Sequence, residues 1–437
     1  MSFNSWMEKK FVPVAGKIGS QRHLAAIRDG FIGIMPIVLA GSFAVLLNNT
    51  LGAWIKPLGA ILGPINSNVW WGTFAMIALL ATFSIGYNLA KGYGEDGLAA
   101  GVISIASFIV TLPQAHGEAG WGYLFWGYLD ARGLFTGIIV ALIATEIFVK
   151  LTKKGLVIKM PDNVPPAVGK AFASVIPGFV AIFIFGALTY IISALGLGSL
   201  YDIILNVIQK PLMGLGQGMA SVILIPILIN LLWFFGLHGA NIFEPIMQSI
   251  YLPALTENYE AVMNGLPAPH LITKAFYDSY IHLGGSGATL ALLLAIFIVA
   301  KKKQDYKAVA KLSLAPGIFQ INESVMYGLP IVLNPVLFIP FLIVPGVLSF
   351  IAYLATALGI VPPTYVAAPW ISPVGIGAFL ATGAKGIGSV MAALLALVNF
   401  AVATLIYLPF VRIAEKQASA GEKEKIVTAK KGEKLNA

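Results

Sequence analysis

The chain contains no cysteine in 437 residues, and charged side chains make up only 11% of it. Without cysteine, disulfides, thiolate metal sites and a cysteine nucleophile on this chain are excluded. Soluble proteins carry roughly twice this proportion of charge. Hydrophobic residues instead account for 58% of the chain. Several apolar runs reach the length of about 20 residues that a bilayer-crossing helix needs. The composition therefore predicts a membrane protein.

Several familiar motifs are also missing. The HExxH metal motif, a serine nucleophile elbow, nucleic-acid motifs and the phosphate-loop spacing are not found, and the five histidines are scattered. We therefore predict no metal site, no cofactor and no nucleic-acid partner, although the net charge is +9. No cleavable signal peptide is visible, because the first residues are polar and amphipathic. We expect the first membrane helix to target the chain.

The basic residues are grouped in short segments between the apolar runs, and this grouping predicts the orientation. The four groups are Lys9, Lys10, Lys17, Arg22 and Arg28; Lys150, Lys153, Lys154 and Lys159; Lys301, Lys302, Lys303, Lys307 and Lys311; and Arg412, Lys416, Lys423, Lys425, Lys430, Lys431 and Lys434. The positive-inside rule places all four groups in the cytoplasm. The weakly charged loops 113–133 and 358–369 are expected outside. Both termini are then cytoplasmic, which requires an even number of spans.

The apolar pattern predicts an all-α polytopic membrane protein with about ten transmembrane helices, two re-entrant hairpins and amphipathic connectors. The predicted spans are 28–51, 70–90, 97–112, 133–151, 171–195, 220–235, 288–300, 331–358, 371–382 and 387–411. The run 371–382 is too short to cross alone. The predicted organisation is an N-terminal amphipathic segment (1–27), a first half (28–155), a connecting region with one transmembrane and one amphipathic helix (156–218), a second half (219–412) and a tail (413–437).

Glu323 lies in an apolar stretch that proline and glycine interrupt on both sides, with Asn322 and Asn334 nearby. An acid at a membrane-helix centre costs about 2.5–3.5 kcal/mol or more, and such acids tend to face protein or water and to serve a function. A carboxylate beside amides can orient sugar hydroxyls or hold a cation. The alternative is a structural acid that caps a broken helix or pairs with a distant base.

A second apolar segment is interrupted in the same way. His238 begins it, and Asn241 and Glu244 follow, with Pro245 marking a break. Histidine is the side chain whose charge changes most easily near neutral pH. His238 is therefore a candidate partner for Glu323, or it bonds a backbone carbonyl at the break. Two interrupted segments in one half of a transporter-like chain point to a binding site.

Two further segments carry polar or aromatic groups at apolar breaks. One contains His282 and Gly284 in a glycine-rich stretch, where the backbone can closely approach a ligand or another helix. The other contains Trp370 between prolines. Trp370 is either an anchor at the membrane interface or a stacking surface for a sugar ring.

Five segments together carry a resemblance to a known family. They read SQRHLAAIRDGFIGIMPIVLAGS (20–42), WFFGLHGANIFEPI (233–246), HLGGSGATL (282–290), INESVMYGLPIVLNP (321–335) and PWISPVG (369–375). The chain resembles the membrane-spanning IIC component of the bacterial phosphoenolpyruvate-dependent sugar phosphotransferase system, in its lactose/cellobiose/N,N'-diacetylchitobiose branch. The resemblance covers nearly the whole chain.

The resemblance implies a homodimer in the bacterial cytoplasmic membrane, with dimer contacts from the first half and the sugar in the second. It implies that His238 and Glu323 sit beside the hydroxyl that is phosphorylated and that Trp370 stacks on a ring. The other residues expected to contact the sugar are Asn241, Glu244, Asn322, His282 and Gly284. The substrate expected is a β-linked disaccharide.

The resemblance also implies cytoplasmic IIA and IIB partners, since the phosphoryl donor is a phosphocysteine on IIB. This chain has no cysteine and ends soon after its last span, so we expect it to use a separate IIB protein. Two other interpretations stay open. One is an ion-coupled secondary sugar transporter in which Glu323 and His238 relay protons. The other is a membrane sensor or scaffold without transport.

Overall fold

The fold is described from a computed structural model that covers residues 17, 20–52, 54–114, 120, 122–161, 163–300, 304–329, 331 and 335–435. Most of the predicted N-terminal segment, Lys301–Lys303 of the third basic group and Asn334 lie outside these residues. The helices are α1 (Arg22–Leu47), α2 (Lys56–Gly72), α3 (Ile77–Gly92), α4 (Gly97–Val110), α5 (Leu134–Lys153), α6 (Pro166–Ala194), α7 (Leu200–Ile204), α8 (Lys210–Gly216), α9 (Met219–Phe234), α10 (Gly239–Ile246), α11 (Leu252–Met263), α12 (Lys274–Tyr280), α13 (Thr289–Val299), α14 (Gln304–Ile318), α15 (Glu323–Gly328), α16 (Pro335–Ala357), α17 (Ile376–Ala381) and α18 (Gly386–Leu435). The described residues contain no β-strand, so the all-α prediction is confirmed.

The helices include several that are long and apolar enough to cross a bilayer. Within the described ranges there are six, or seven if Leu200–Gly216 and Met219–Phe234 form one broken span. The six are Arg22–Gly52, Lys56–Gly92, Ala131–Lys153, Pro166–Ala194, Val336–Ala357 and Gly386–Glu415. The apolar helices α4 and α13 are shorter. A polytopic membrane protein is confirmed, while the predicted count of ten spans stays a prediction.

Some helix boundaries differ from those that the sequence predicted. Helix α2 was not predicted, and it precedes α3 within one long apolar stretch. Helix α6 begins at Pro166, five residues before the predicted span 171–195, because proline fits the first turn of a helix. The run 371–382 contains only the short helix α17, as its length predicted.

The chain divides into two compact units, and the first comprises the described residues up to Gly216 together with Asn241–Pro269. Within it, α3 packs against α1, α4 and α5. Small side chains permit these close approaches: Ala90, Ala100 and Ala181 are buried together with Ile103, Phe148 and Val149. In lipid, helices associate through such close packing, because there is no hydrophobic drive between them.

Arg132 connects two distant parts of the first unit. Its guanidinium bonds both carboxylate oxygens of Asp130, with Nη2 2.7 Å from Oδ2. Its Nη1 lies 3.0 Å from Oε2 of Glu260 on α11. Tyr251 adds a second connection by donating to the carbonyl of Gly216 at 3.1 Å. These bonds hold residues 241–269 to the first unit, although the chain on either side belongs to the second.

The second unit comprises the described residues of Gln217–Ala240 and His270–Ala437. Helix α9 packs against α16, where Asn230 Nδ2 donates to the Phe341 carbonyl at 2.7 Å. Tyr407 on α18 donates to the Gly287 carbonyl at 2.6 Å, and Asn399 donates to the Tyr280 carbonyl at 3.0 Å. Buried side chains thus satisfy backbone carbonyls where helices are interrupted, which irregular backbone inside a membrane protein requires.

Candidate functional site

Glu323 is the first residue of α15, a helix of six residues that follows an irregular turn. Its side chain is 50% exposed, while Asn322 beside it is buried. The predicted interruption of the apolar run is therefore present in the structure. A half-exposed carboxylate at this interruption is accessible to a ligand.

His238 lies in the turn between α9 and α10, and the fold brings it to Glu323. Its Nε2 is 3.6 Å from Oε1 of the glutamate, within ion-pair distance when the imidazole is protonated. The imidazole also packs against the buried indole of Trp233, with ring centroids 4.2 Å apart. Tyr327 on α15 approaches the same indole edge-on, at 6.2 Å. Trp233 therefore supports the histidine from the side of α9 and contacts the helix that carries the glutamate.

The glycine-rich stretch contacts the glutamate segment directly. Asn322 Nδ2 donates to the Ser286 carbonyl at 3.0 Å. Gly285 has a φ of 94°, and a Cβ there would lie 2.5 Å from Cγ of Asn322, so only glycine fits. The His282 carbonyl accepts from the Gly285 amide at 3.1 Å and closes the turn. The predicted residues His282, Gly284 and Asn322 are thus brought together in one part of the second unit.

Trp370 is partly buried and lines a small cavity in the same unit. Asp278 and Ser279 line this cavity too, and Asp278 pairs with Lys274 at 2.8 Å. Ser372, two residues after the tryptophan, accepts at its carbonyl from Gln320 Nε2 at 2.9 Å. An aromatic face beside hydroxyl and carboxylate groups can bind a sugar ring through its apolar face and its hydroxyls together.

Asn241 and Glu244 lie on α10 and belong to the first unit. The Glu244 carboxylate accepts from Gln248 Nε2 at 2.6 Å. The second unit therefore contains six of the eight predicted residues, which are His238, His282, Gly284, Asn322, Glu323 and Trp370. Across the part of the chain that the structure describes, no three histidine, aspartate or glutamate side chains converge as a metal site would require.

Sequence reasoning missed two residues of this region. Trp233 begins one of the five segments that carry the family resemblance, but the apolar residues around it do not distinguish its ring from a lipid-facing one. Gln320 bonds the backbone of both neighbouring segments, and its partners are 35 and 52 residues away in sequence. A glutamine in an apolar stretch, three residues before Glu323, was the signal that the sequence offered.

A helical fold with several bilayer-length spans and polar side chains gathered at helix interruptions defines a polytopic membrane protein of the transporter class. Residues 28–345 match the family described as Phosphotransferase system, EIIC. The chain belongs to this family, and it is a multi-pass sugar permease component of the phosphotransferase system.

Named proteins are similar over nearly the whole chain. The Lichenan permease IIC component of Bacillus subtilis (strain 168) is 38% identical, over 95% of this chain and 94% of its own. The PTS system cellobiose-specific EIIC component of Lactococcus lactis subsp. lactis (strain IL1403) is 37% identical, over 94% and 98%. The crystal structure of the transporter ChbC, the IIC component from the N,N'-diacetylchitobiose-specific phosphotransferase system, superposes with a TM-score of 0.88. It is 36% identical, with 96% of this chain and 99% of that chain covered.

Proposed function

We propose that this permease binds a β-linked disaccharide of the cellobiose or N,N'-diacetylchitobiose type, carries it across the cytoplasmic membrane and presents one hydroxyl to a phosphorylated IIB protein. The names of the similar proteins support the substrate class. The observation that carries the mechanism is the approach of His238 to Glu323 at 3.6 Å, with both side chains partly exposed. We further propose that Trp370, His282, Gly284 and Asn322 contact the sugar, while the contacts of Asn241 and Glu244 stay predictions from the sequence.

In this mechanism Glu323 accepts a hydrogen bond from the sugar hydroxyl and takes its proton. The hydroxyl oxygen forms a bond to the phosphorus of the IIB phosphocysteine, and the phosphorus–sulfur bond breaks. The thiolate remains on IIB, and the proton remains on Glu323 until solvent removes it. A general base of this kind contributes about 10²–10⁴-fold to a rate. His238 orients the hydroxyl and balances charge beside the incoming phosphoryl group, because such transfer depends on positioning and electrostatics.

The proposal includes partners and an orientation. The donor cysteine resides on IIB, since this chain has none, and IIA supplies the phosphoryl group to IIB. Both termini face the cytoplasm, as the basic groups indicate, so the sugar receives its phosphate inside the cell. A phosphorylated sugar is charged and cannot recross the bilayer. Two copies form a homodimer through the helices of residues 28–155.

The test is uptake of radiolabelled cellobiose and N,N'-diacetylchitobiose into proteoliposomes that contain the purified chain. Phosphoenolpyruvate and the cytoplasmic phosphorelay proteins are enclosed in the lumen. We expect the sugar to appear inside only as its phosphate and only when the relay is complete. Accumulation of unmodified sugar driven by a proton gradient, with no phosphoryl donor, would instead establish the ion-coupled transporter.

A further inference from the structure

Gln320 is 7% exposed, and its side-chain amide bonds two other segments of the second unit. Its Oε1 accepts from the backbone N–H of Gly284 and, at 3.3 Å, from that of Gly285. Its Nε2 donates to the Ser372 carbonyl at 2.9 Å. The oxygen and the nitrogen of this one amide therefore each bond the backbone, and the two backbone partners lie in different parts of the chain.

The three segments that meet at Gln320 hold five of the proposed site residues, which are His282, Gly284, Asn322, Glu323 and Trp370. Gln320 itself lies three residues before Glu323. Gly284 is in the glycine-rich stretch, and Ser372 lies two residues after Trp370. A shift of this one amide would move the stacking ring relative to the general base.

The backbone of Gln320 has a φ of 66°, in the left-handed region. Glycine and asparagine adopt this region most easily, and other residues do so rarely. Glycine has no side chain, and asparagine is one methylene too short to span the same two partners. The presence of glutamine here indicates that the reach and the two-sided hydrogen bonding of its amide matter more than backbone preference.

We propose that Gln320 is a positioning residue that sets the separation between the ring-stacking end of the sugar site, at Trp370, and its phosphorylation end, at Glu323. This inference rests on the proposed function. It assigns a role to a residue that contacts neither the phosphoryl group nor the IIA and IIB proteins that supply it. Displacement of reacting groups by about 1 Å costs roughly 10²-fold in rate. Loss of the hydrogen bonds made by either the oxygen or the nitrogen of this amide should therefore reduce the turnover number as well as the affinity for sugar.

The decisive variant is Gln320→Glu. Its carboxylate keeps an acceptor for the Gly284 and Gly285 N–H groups but has no proton to donate to the Ser372 carbonyl. When the pH falls and the buried carboxyl becomes protonated, the donor returns, since burial favours the neutral acid. Gln320→Met has a similar length and neither hydrogen bond at any pH. Only Gln320→Glu keeps an acceptor for the Gly284 and Gly285 N–H groups, and only in Gln320→Glu can acid restore the bond to the Ser372 carbonyl.

Gln217 offers a matched control. Its side chain also uses both ends on one backbone segment, with Nε2 donating to the Ile272 carbonyl and Oε1 accepting from the Ile272 N–H, each at 2.8 Å. Neither Gln217 nor Ile272 contacts the proposed sugar residues in these bonds. Gln217→Glu therefore makes the same chemical change in the same unit without touching the link to Trp370.

The experiment measures the dissociation constant for cellobiose by calorimetry, the turnover number for phosphorylation by phosphorylated IIB and the unfolding temperature. At neutral pH we expect Gln320→Glu to bind roughly tenfold more weakly and to turn over at least tenfold more slowly than the unmodified chain. At about pH 5.5 both values should recover toward the unmodified chain measured at the same pH. Gln320→Met should be impaired at both pH values, and Gln217→Glu should lose only thermal stability.

Two outcomes would overturn the inference. Binding and turnover of Gln320→Glu equal to those of Gln217→Glu would mean that the amide is structural only. Binding and turnover of Gln320→Met equal to those of the unmodified chain would mean that neither hydrogen bond of the amide matters. If the unmodified chain binds cellobiose without phosphorylating it, the proposed function fails, while the dissociation constants alone still decide the role of Gln320.

Discussion

Nε2 of His238 lies 3.6 Å from Oε1 of Glu323, and the histidine ring rests on the buried indole of Trp233. The imidazole is therefore held from one side and reaches the carboxylate from the other. The carboxylate itself remains half exposed. This arrangement leaves the carboxylate accessible to a ligand while the imidazole beside it is held in place by Trp233.

The first prediction concerns Glu323→Gln. The amide cannot take a proton, so we expect the rate of sugar phosphorylation to fall by about 10²-fold or more. The free energy of unfolding should change by less than about 1 kcal/mol, because the pair is well exposed. Single-turnover phosphorylation by phosphorylated IIB and thermal unfolding in the same detergent measure the two effects. Glu95→Gln, in the loop after α3, is the control. A turnover that falls no more than in this control would exclude the general-base role.

The second prediction concerns how His238 and Glu323 act together. In a double-mutant cycle of His238→Gln and Glu323→Gln, the double variant should phosphorylate sugar no more slowly than Glu323→Gln alone. Residues that act as one unit give non-additive losses. Their coupling in stability should be only about 0.2–1 kcal/mol, as for other exposed pairs. If the two losses in rate simply multiply, the residues act independently.

The third prediction concerns Trp370. Trp370→Ala should weaken cellobiose binding by about tenfold, which corresponds to about 1.4 kcal/mol, since a sugar ring loses its aromatic surface. Trp370→Phe should lose less affinity for cellobiose than Trp370→Ala, because an aromatic ring remains to stack on the sugar. Calorimetric titration measures both. Trp71→Ala, at an exposed aromatic residue of the first unit, should leave the dissociation constant unchanged. Equal affinity in Trp370→Ala and the unmodified chain would make Trp370 an interfacial anchor.

The fourth prediction concerns the first unit. Arg132→Met leaves the buried carboxylate of Asp130 without its cation, so the free energy of unfolding should fall by about 3–5 kcal/mol. Adding Asp130→Asn should restore part of this loss by removing the buried charge. Arg28→Met breaks the more exposed pair with Asp29 and should cost less than about 1 kcal/mol. Thermal unfolding compares the three variants, and similar losses for both arginines would contradict the assignment.

The polar interruptions could be predicted from the sequence because polar side chains are rare in membrane-spanning segments. A charged or amide side chain in an apolar run is costly unless it has a partner, so Glu323 and His238 stand out individually. Their pairing followed from two such runs and from the family resemblance. The structure brings them together without any local motif that would specify the distance.

Other features depend on partners that are distant in the chain. Arg132 lies in a weakly charged loop, and nothing near it in sequence indicates its distant partner. Glu260, 128 residues later, is identified as that partner only in the structure. Helix α2 was missed because Gly59, Gly63 and Pro64 break up its apolar run. Gln320 was missed because backbone carbonyls and amides are its partners, and every residue type offers those.

The hydrogen bond between Asn230 and the Phe341 carbonyl has a consequence for biosynthesis. Helix α9 is synthesised long before α16, and a ribosome that adds about 5–20 residues per second needs on the order of 5–20 s to reach residue 341. During that interval the Asn230 amide is in an apolar helix without the carbonyl that it will bond. A nascent chain stalled between these two helices should therefore remain associated with the insertion machinery, and release into lipid should coincide with the appearance of α16.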